Sequence, residues 1–154
     1  LISGDPTDSY SFTVATSGST KIFIKPVSGS ITYYWHDANY PYRNSVGEHT
    51  GIDIAVAQGA SVKAAAAGTV TEVVGSSGDQ ASYIAISHNG GLITKYAHLS
   101  RLDVKVGDIV KQADIIGLSG GTPGTPGAGA YTNGAHLHFE VLLNGASVDP
   151  QKYL

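Results

Sequence analysis

The 154-residue sequence predicts an all-β fold with little helix, and three observations carry that prediction. Short runs rich in β-branched and aromatic residues recur along the chain. Gly and Pro punctuate them, 20 and 6 in all. Only the last residues, DPQKYL, offer room for a helical turn.

Taken in order, the strand-forming runs are SFTVAT (11–16), KIFIKP (21–26), SITYYW (30–35), GIDIAV (51–56), GTVTEVV (68–74), SYIAIS (82–87), LITKYAHL (92–99) and HLHFEVLL (136–143). Asn89-Gly90 lies between two of them and predicts a type I′ hairpin joining 82–88 to 91–98, because both central residues of that turn must accept positive φ. DVKVGDIVKQADIIG (103–117) reads as strand, Gly turn and strand. Residues 119–134 hold two Pro and six Gly and form a long irregular loop, of the kind that borders functional sites in compact domains. The loop begins with a G-x-S-x-G match at 117–121, but that serine-hydrolase pattern needs a helix after the turn, and TPGTPGAG cannot supply one. It lacks the Lys-Ser/Thr ending of a phosphate-binding loop as well.

Length and composition narrow the function classes. The chain is of single-domain size. A net charge of -3 with no basic run argues against nucleic acid as a partner. No segment approaches the roughly 18 apolar residues of a membrane span. With no cysteine, disulfides and thiolate metal sites are excluded, so any metal must use His and carboxylate. An initial Leu and the absence of Met point to a portion of a longer chain. Residues 1–20, rich in Ser, Thr and Gly, read as a linker or peripheral hairpin, with the domain boundary near Lys21.

The chemistry lies in six histidines. In residues 136–143, Leu137, Phe139, Val141 and Leu143 fall on one face of a period-two strand, which puts His136, His138 and Glu140 on the other. The two histidines stand about 6.6 Å apart, close enough to approach one centre. His49 and Asp53 form a His-x-x-x-Asp pair that a straight strand would hold about 13 Å apart; a turn or bulge at Thr50-Gly51 would bring them together. His88, at the hairpin turn, reads as a solvated residue, and His36 as a packing or rim residue. Glu140 reads as a solvent-facing strand carboxylate, with orientation of a ligand imidazole as the alternative. Together His49, Asp53, His98, His136 and His138 give the inventory of a catalytic zinc site, three N/O ligands with imidazoles to spare; the plain alternative is a set of surface histidines.

Three stretches occur in order: HTGIDIAVAQGASVKAAAAGTV, YIAISHNGGLITKYAHLSRLDVKVGDIVKQADIIGLSG and GAHLHFEV. With them the chain resembles the lysostaphin-like zinc metallopeptidases, bacterial cell-wall endopeptidases, over nearly everything from residue 21 onward. The resemblance implies a folded antiparallel β-sheet carrying an active-site groove walled by loops, with 21–154 as the catalytic domain. It implies one zinc ion per chain held by His49, Asp53 and His138, with His98 and His136 as the catalytic pair. The 119–134 loop and ANYPYRNSVGE (38–48) would wall the groove, and Tyr40, Tyr42 or Arg43 would contact substrate. The implied function is hydrolysis of peptide cross-links in peptidoglycan through a metal-activated water. The implied setting is extracytoplasmic (periplasmic, cell-wall or secreted), in a monomer of bacterial or phage origin. A catalytically silent relative that binds cell wall or regulates a hydrolase would share the fold, but would be expected to have lost ligands. A lipoyl- or biotin-carrier module, suggested by VKAAAAGTV and VKVGDIVKQADIIG, lacks its attachment lysine motif.

Overall fold

Eleven short strands account for most of the regular structure in a computed structural model that describes residues 21–154; the expectations for residues 1–20 lie outside the described residues. In chain order they are β1 (Ile31–Tyr33), β2 (Ile52–Ala55), β3 (Ser61–Lys63), β4 (Gly68–Val74), β5 (Tyr83–Ser87), β6 (Leu92–Ala97), β7 (Leu99–Leu102), β8 (Ile109–Val110), β9 (Ile115–Ser119), β10 (His136–Leu143) and β11 (Ala146–Val148). A single α-helical turn, α1 (Arg43–Val46), precedes β2. Pro150–Lys152 forms a 3-10 turn where DPQKYL predicted one, with the Asp149 side chain accepting from Gln151 N–H. Among the described residues no helix is long and apolar enough to cross a membrane.

All strand pairs are antiparallel. The larger sheet runs β1-β2-β10-β6-β5-β4-β8, with β11 on the C-terminal half of β10; a smaller sheet runs β3-β9-β7. The apolar faces meet in one core, where Ile52, Ile54, Ile84, Ile86, Tyr96, Leu137, Phe139 and Val141 of the larger sheet cluster with Val62, Leu99 and Ile116 of the smaller. Each such side chain contributes about 1.5–3 kcal/mol relative to leaving it in water.

The sequence misplaces several boundaries, each for a local reason. Residues 21–26 form no strand: Phe23 N–H and Ile24 N–H bond Tyr153 O and Ala65 O, two different partners, so no ladder develops. The run 92–99 is cut at His98, whose φ of 65° ends β6 and starts β7 in the other sheet. In 103–117 the first half is irregular, and the two strands that form both follow the Gly107 turn, in different sheets. At the β5–β6 hairpin the left-handed residues are Gly90 and Gly91, so the hairpin stands while its turn is not type I′.

His88 is not a solvated turn residue. Its Nδ1–H donates to Ala67 O at 2.7 Å and its Nε2 accepts from Thr94 Oγ1 at 2.8 Å. Tyr96 OH donates to the same Thr94 oxygen and accepts from Ala65 N–H, so the chain of polar atoms beside the core is satisfied only with neutral imidazole. Burial lowers the His88 pKa from 6.5. Below about pH 6.5 the unfolded chain therefore takes up a proton that the folded one resists, and stability falls as pH drops through the folded pKa. His88→Gln is expected to flatten this acid limb, as measured by denaturant unfolding of chelator-treated protein between pH 7.5 and 5.

Candidate metal centre

Strand register assembles the centre. β10 lies between β2 and β6, with His138 opposite Asp53 on one side and opposite Ala97 on the other. Cross-strand partners point to the same face, so Asp53 and His138 share it, while Leu137, Phe139 and Val141 are fully buried on the opposite one. His98 follows Ala97, and its left-handed backbone brings its ring to 4.5 Å from that of His136. His49 reaches Asp53 through the bend at Gly51: a Cβ there would lie 2.3 Å from Phe139 O, so only glycine lets the chain pass this close to β10.

His49 Nε2, Asp53 Oδ1 and His138 Nδ1 form a triangle with edges of 3.1, 2.9 and 3.2 Å. Donors of a tetrahedral zinc at ordinary bond lengths would stand roughly 3.3 Å apart. The other ring nitrogens are committed: His49 Nδ1–H donates to Tyr34 O at 2.8 Å, and His138 Nε2–H to Glu140 Oε2 at 2.8 Å. With both rings neutral, three lone pairs converge and no hydrogen lies among them, so the cluster calls for a cation. Without a metal ion that cation must be a proton: burial opposes charge on His138, but hydrogen bonds and attraction from Asp53 and Glu140 push its pKa up to about 10. Burial likewise opposes charge on Asp53, yet the hydrogen bond from the protonated His138 holds its carboxyl far below the usual range. The donor set and its spacing fit a zinc ion.

His136 Nε2 stands 3.7 Å from Asp53 Oδ1, and its Nδ1–H donates to Gly134 O at 2.7 Å. His98 Nδ1–H donates to Ala128 O at 2.6 Å. Burial, with His136 and His138 adding repulsion, lowers the His98 pKa to about 4, so this ring is neutral at neutral pH. Glu140 is no free surface carboxylate. It accepts from His138 Nε2–H and from Thr50 Oγ1–H, and so fixes the tautomer that presents His138 Nδ1 to the centre. Glu140→Gln is expected to weaken zinc binding about 10–100-fold, read by competition against a chromophoric chelator.

A cavity of about 430 Å³ opens over His49, His98 and His138. Tyr40 lines it, stacked on the His49 ring at 4.2 Å. Burial, with Asp53 adding, pushes the Tyr40 pKa to about 12, so its hydroxyl remains a hydrogen-bond donor. The other two residues expected to contact substrate do not line this cavity: Tyr42 packs edge-on between Tyr40 and Tyr131, and Arg43 pairs at 2.9 Å with Glu48, which does line it. Lining residues that the sequence did not single out are Val46, Glu48, Asp79, Gln80, Ala81 and Tyr131. Tyr131 had a signal, as the one aromatic of the long loop.

An antiparallel sheet that presents His, Asp and His donors beside two further imidazoles defines a class of metal-centre protein. The chain belongs to peptidase family M23, whose model matches residues 47–150. Its relatives include lysostaphin of Staphylococcus simulans, 36% identical over 75% of this chain and 23% of that protein. Another is the peptidoglycan DD-endopeptidase ShyC of Vibrio cholerae, 39% identical over 73% of this chain and 24% of that protein. Among solved structures, a zinc-containing peptidase from Vibrio cholerae matches with a TM-score of 0.69 and 33% identity, over 84% of this chain and 39% of that one. The chain thus spans about a quarter of the length of the curated relatives it matches.

Proposed function

We propose that residues 21–154 form the catalytic domain of an extracytoplasmic zinc endopeptidase that hydrolyses peptide cross-links of bacterial peptidoglycan, acting as a monomer with one zinc per chain. The observation that carries the proposal is the convergence of three lone pairs, from His49, Asp53 and His138, beside two imidazoles whose Nδ1 atoms are already committed. Membership of family M23 and the cell-wall endopeptidases among the relatives support the substrate class.

What zinc supplies when bound is Lewis acidity, which acidifies a water molecule and polarises the peptide carbonyl. The chain does the rest. His49, Asp53 and His138 would hold the ion, and Glu140 and the Tyr34 carbonyl hold the two ligand imidazoles in register. Of His98 and His136, one would take the proton of the attacking water, and the other, protonated from solvent, would hydrogen-bond the oxyanion or protonate the leaving amine, the first returning its proton to solvent afterwards. Tyr40 donates from the cavity wall to the bound peptide.

The test is digestion of peptidoglycans of differing cross-link chemistry, with new amino termini identified by mass spectrometry. The expected result is chelator-sensitive release from at least one cross-link type. Folded, zinc-loaded protein that releases none from any would leave a silent cell-wall binder.

A further inference from the structure

The 119–134 loop, expected as a groove wall, makes contacts that a wall does not need. Gly127 has φ 85°, and a Cβ on it would lie 1.8 Å from Leu99 O; Gly129 has φ 71°, and its Cβ would lie 2.7 Å from Ala81 N. These two glycines press the loop onto the backbone around His98, and between them Ala128 O accepts the His98 Nδ1–H. Ser82 braces this end. Its N–H donates to Gly127 O at 3.1 Å, its hydroxyl donates to Leu99 O at 2.5 Å with Gly127 O 3.3 Å away, and its carbonyl accepts the His98 backbone N–H at 2.9 Å. At the far end of the same loop, Gly134 O accepts His136 Nδ1–H, and the buried Thr132 hydroxyl donates to Gly121 O at 2.5 Å, accepts from Gly134 N–H at 3.4 Å, and lies 3.0 Å from Gly134 O and 3.5 Å from His136 Nδ1.

We infer that the 119–134 loop is a positioning device for the catalytic pair: its Ala128 and Gly134 carbonyls lock His98 and His136 in one shared tautomer, Nδ1 protonated and Nε2 bare. A backbone carbonyl can only accept, so each ring, while neutral, must turn its N–H to the loop and leave a lone pair on the other nitrogen. No described residue bonds Nε2 of His98, and that of His136 faces the metal donors across 3.7 Å. Ser82, Gly127 and Thr132 act through these rings and touch no reacting atom. The inference rests on the peptidase proposal for what the two lone pairs are used for; the tautomers themselves are read without it.

The test is ¹⁵N NMR of the histidine ring nitrogens in zinc-loaded protein, run beside steady-state kinetics on a soluble cross-linked peptidoglycan fragment. Wild-type His98 and His136 are expected to show protonated Nδ1 and unprotonated Nε2. Gly127→Ala should cost His98 its single tautomer and lower kcat about a hundredfold with KM unchanged, while His136 and zinc content stay as in wild type. Thr132→Val should do the same to His136 alone, with a loss of about tenfold. If Gly127→Ala fails to fold, Ser82→Ala, which adds no bulk, reports on the same end of the loop. Either ring protonated on Nε2 in wild type would overturn the inference. So would variants that keep both tautomers and lose only in KM, the mark of a simple wall. Wild-type protein with both tautomers as expected, each lost in its own variant, but with no turnover on any cross-link would remove the peptidase proposal and uphold the positioning role.

Discussion

Replacing His138 with Ala is expected to strip zinc from the protein, whereas replacing His136, two residues away on the same strand face, is expected to leave zinc bound and lower turnover about 10²–10⁴-fold. The difference follows from geometry. His138 Nδ1 lies 2.9 Å from Asp53 Oδ1 and 3.2 Å from His49 Nε2, within the donor triangle. His136 presents Nε2 to Asp53 from 3.7 Å, outside it. Deleting a donor removes a metal bond outright, while deleting a neighbouring acid or base removes only its contribution to proton transfer. His49→Ala and Asp53→Ala should follow His138→Ala, and His98→Ala should follow His136→Ala. Zinc stoichiometry and turnover measured together on the five variants separate the two groups; a His136→Ala protein without metal beside a His138→Ala protein with it would reverse the assignment.

Gly51→Ala should weaken both the fold and the metal centre although it removes no chemical group. The added Cβ would sit 2.3 Å from Phe139 O and 2.9 Å from Glu140 Cγ. Phe139 is fully buried and its strand is held on both sides, so the carbonyl cannot yield and β2 must move away from β10. Three features depend on that approach: the bend that carries His49 to Asp53, the pairing of Asp53 with His138, and the bond from Thr50 to Glu140. Overpacking of this kind costs about 1–3 kcal/mol of stability. Zinc affinity should fall at least as far as in Glu140→Gln, about 10–100-fold. Denaturant unfolding with a chelator competition titration checks both, and unchanged zinc affinity would show that the bend does not set the donor geometry.

β10 was legible in full, because strict alternation divides its apolar face from its histidine face without help from the rest of the fold. The need for a bend at Thr50-Gly51 was legible too, since the His49–Asp53 spacing is impossible on a straight strand. The break at His98 was not: LITKYAHL reads as one continuous run, and no Gly or Asn marks the left-handed residue that splits it. The strands β3, β7 and β11, three or four residues each, are too short for a periodic signal, and form because longer neighbours offer them edges. Backbone partners leave no trace in the sequence at all. The carbonyls that orient His49, His88, His98 and His136 belong to Tyr34, Ala67, Ala128 and Gly134, residues whose side chains give no hint of the task. Glu140 was misjudged because strand alternation shows that it leaves the apolar face, not that His138 and Thr50 already occupy its carboxylate.

His49, Asp53 and His138 are proposed to form a zinc site. Its most direct test is the zinc content of wild-type protein by plasma mass spectrometry, after reconstitution and buffer exchange at neutral pH. The predicted result is about one zinc per chain. No zinc retained by folded protein would contradict the claim, since three converging lone pairs in a preformed site would then have failed to bind the ion they fit.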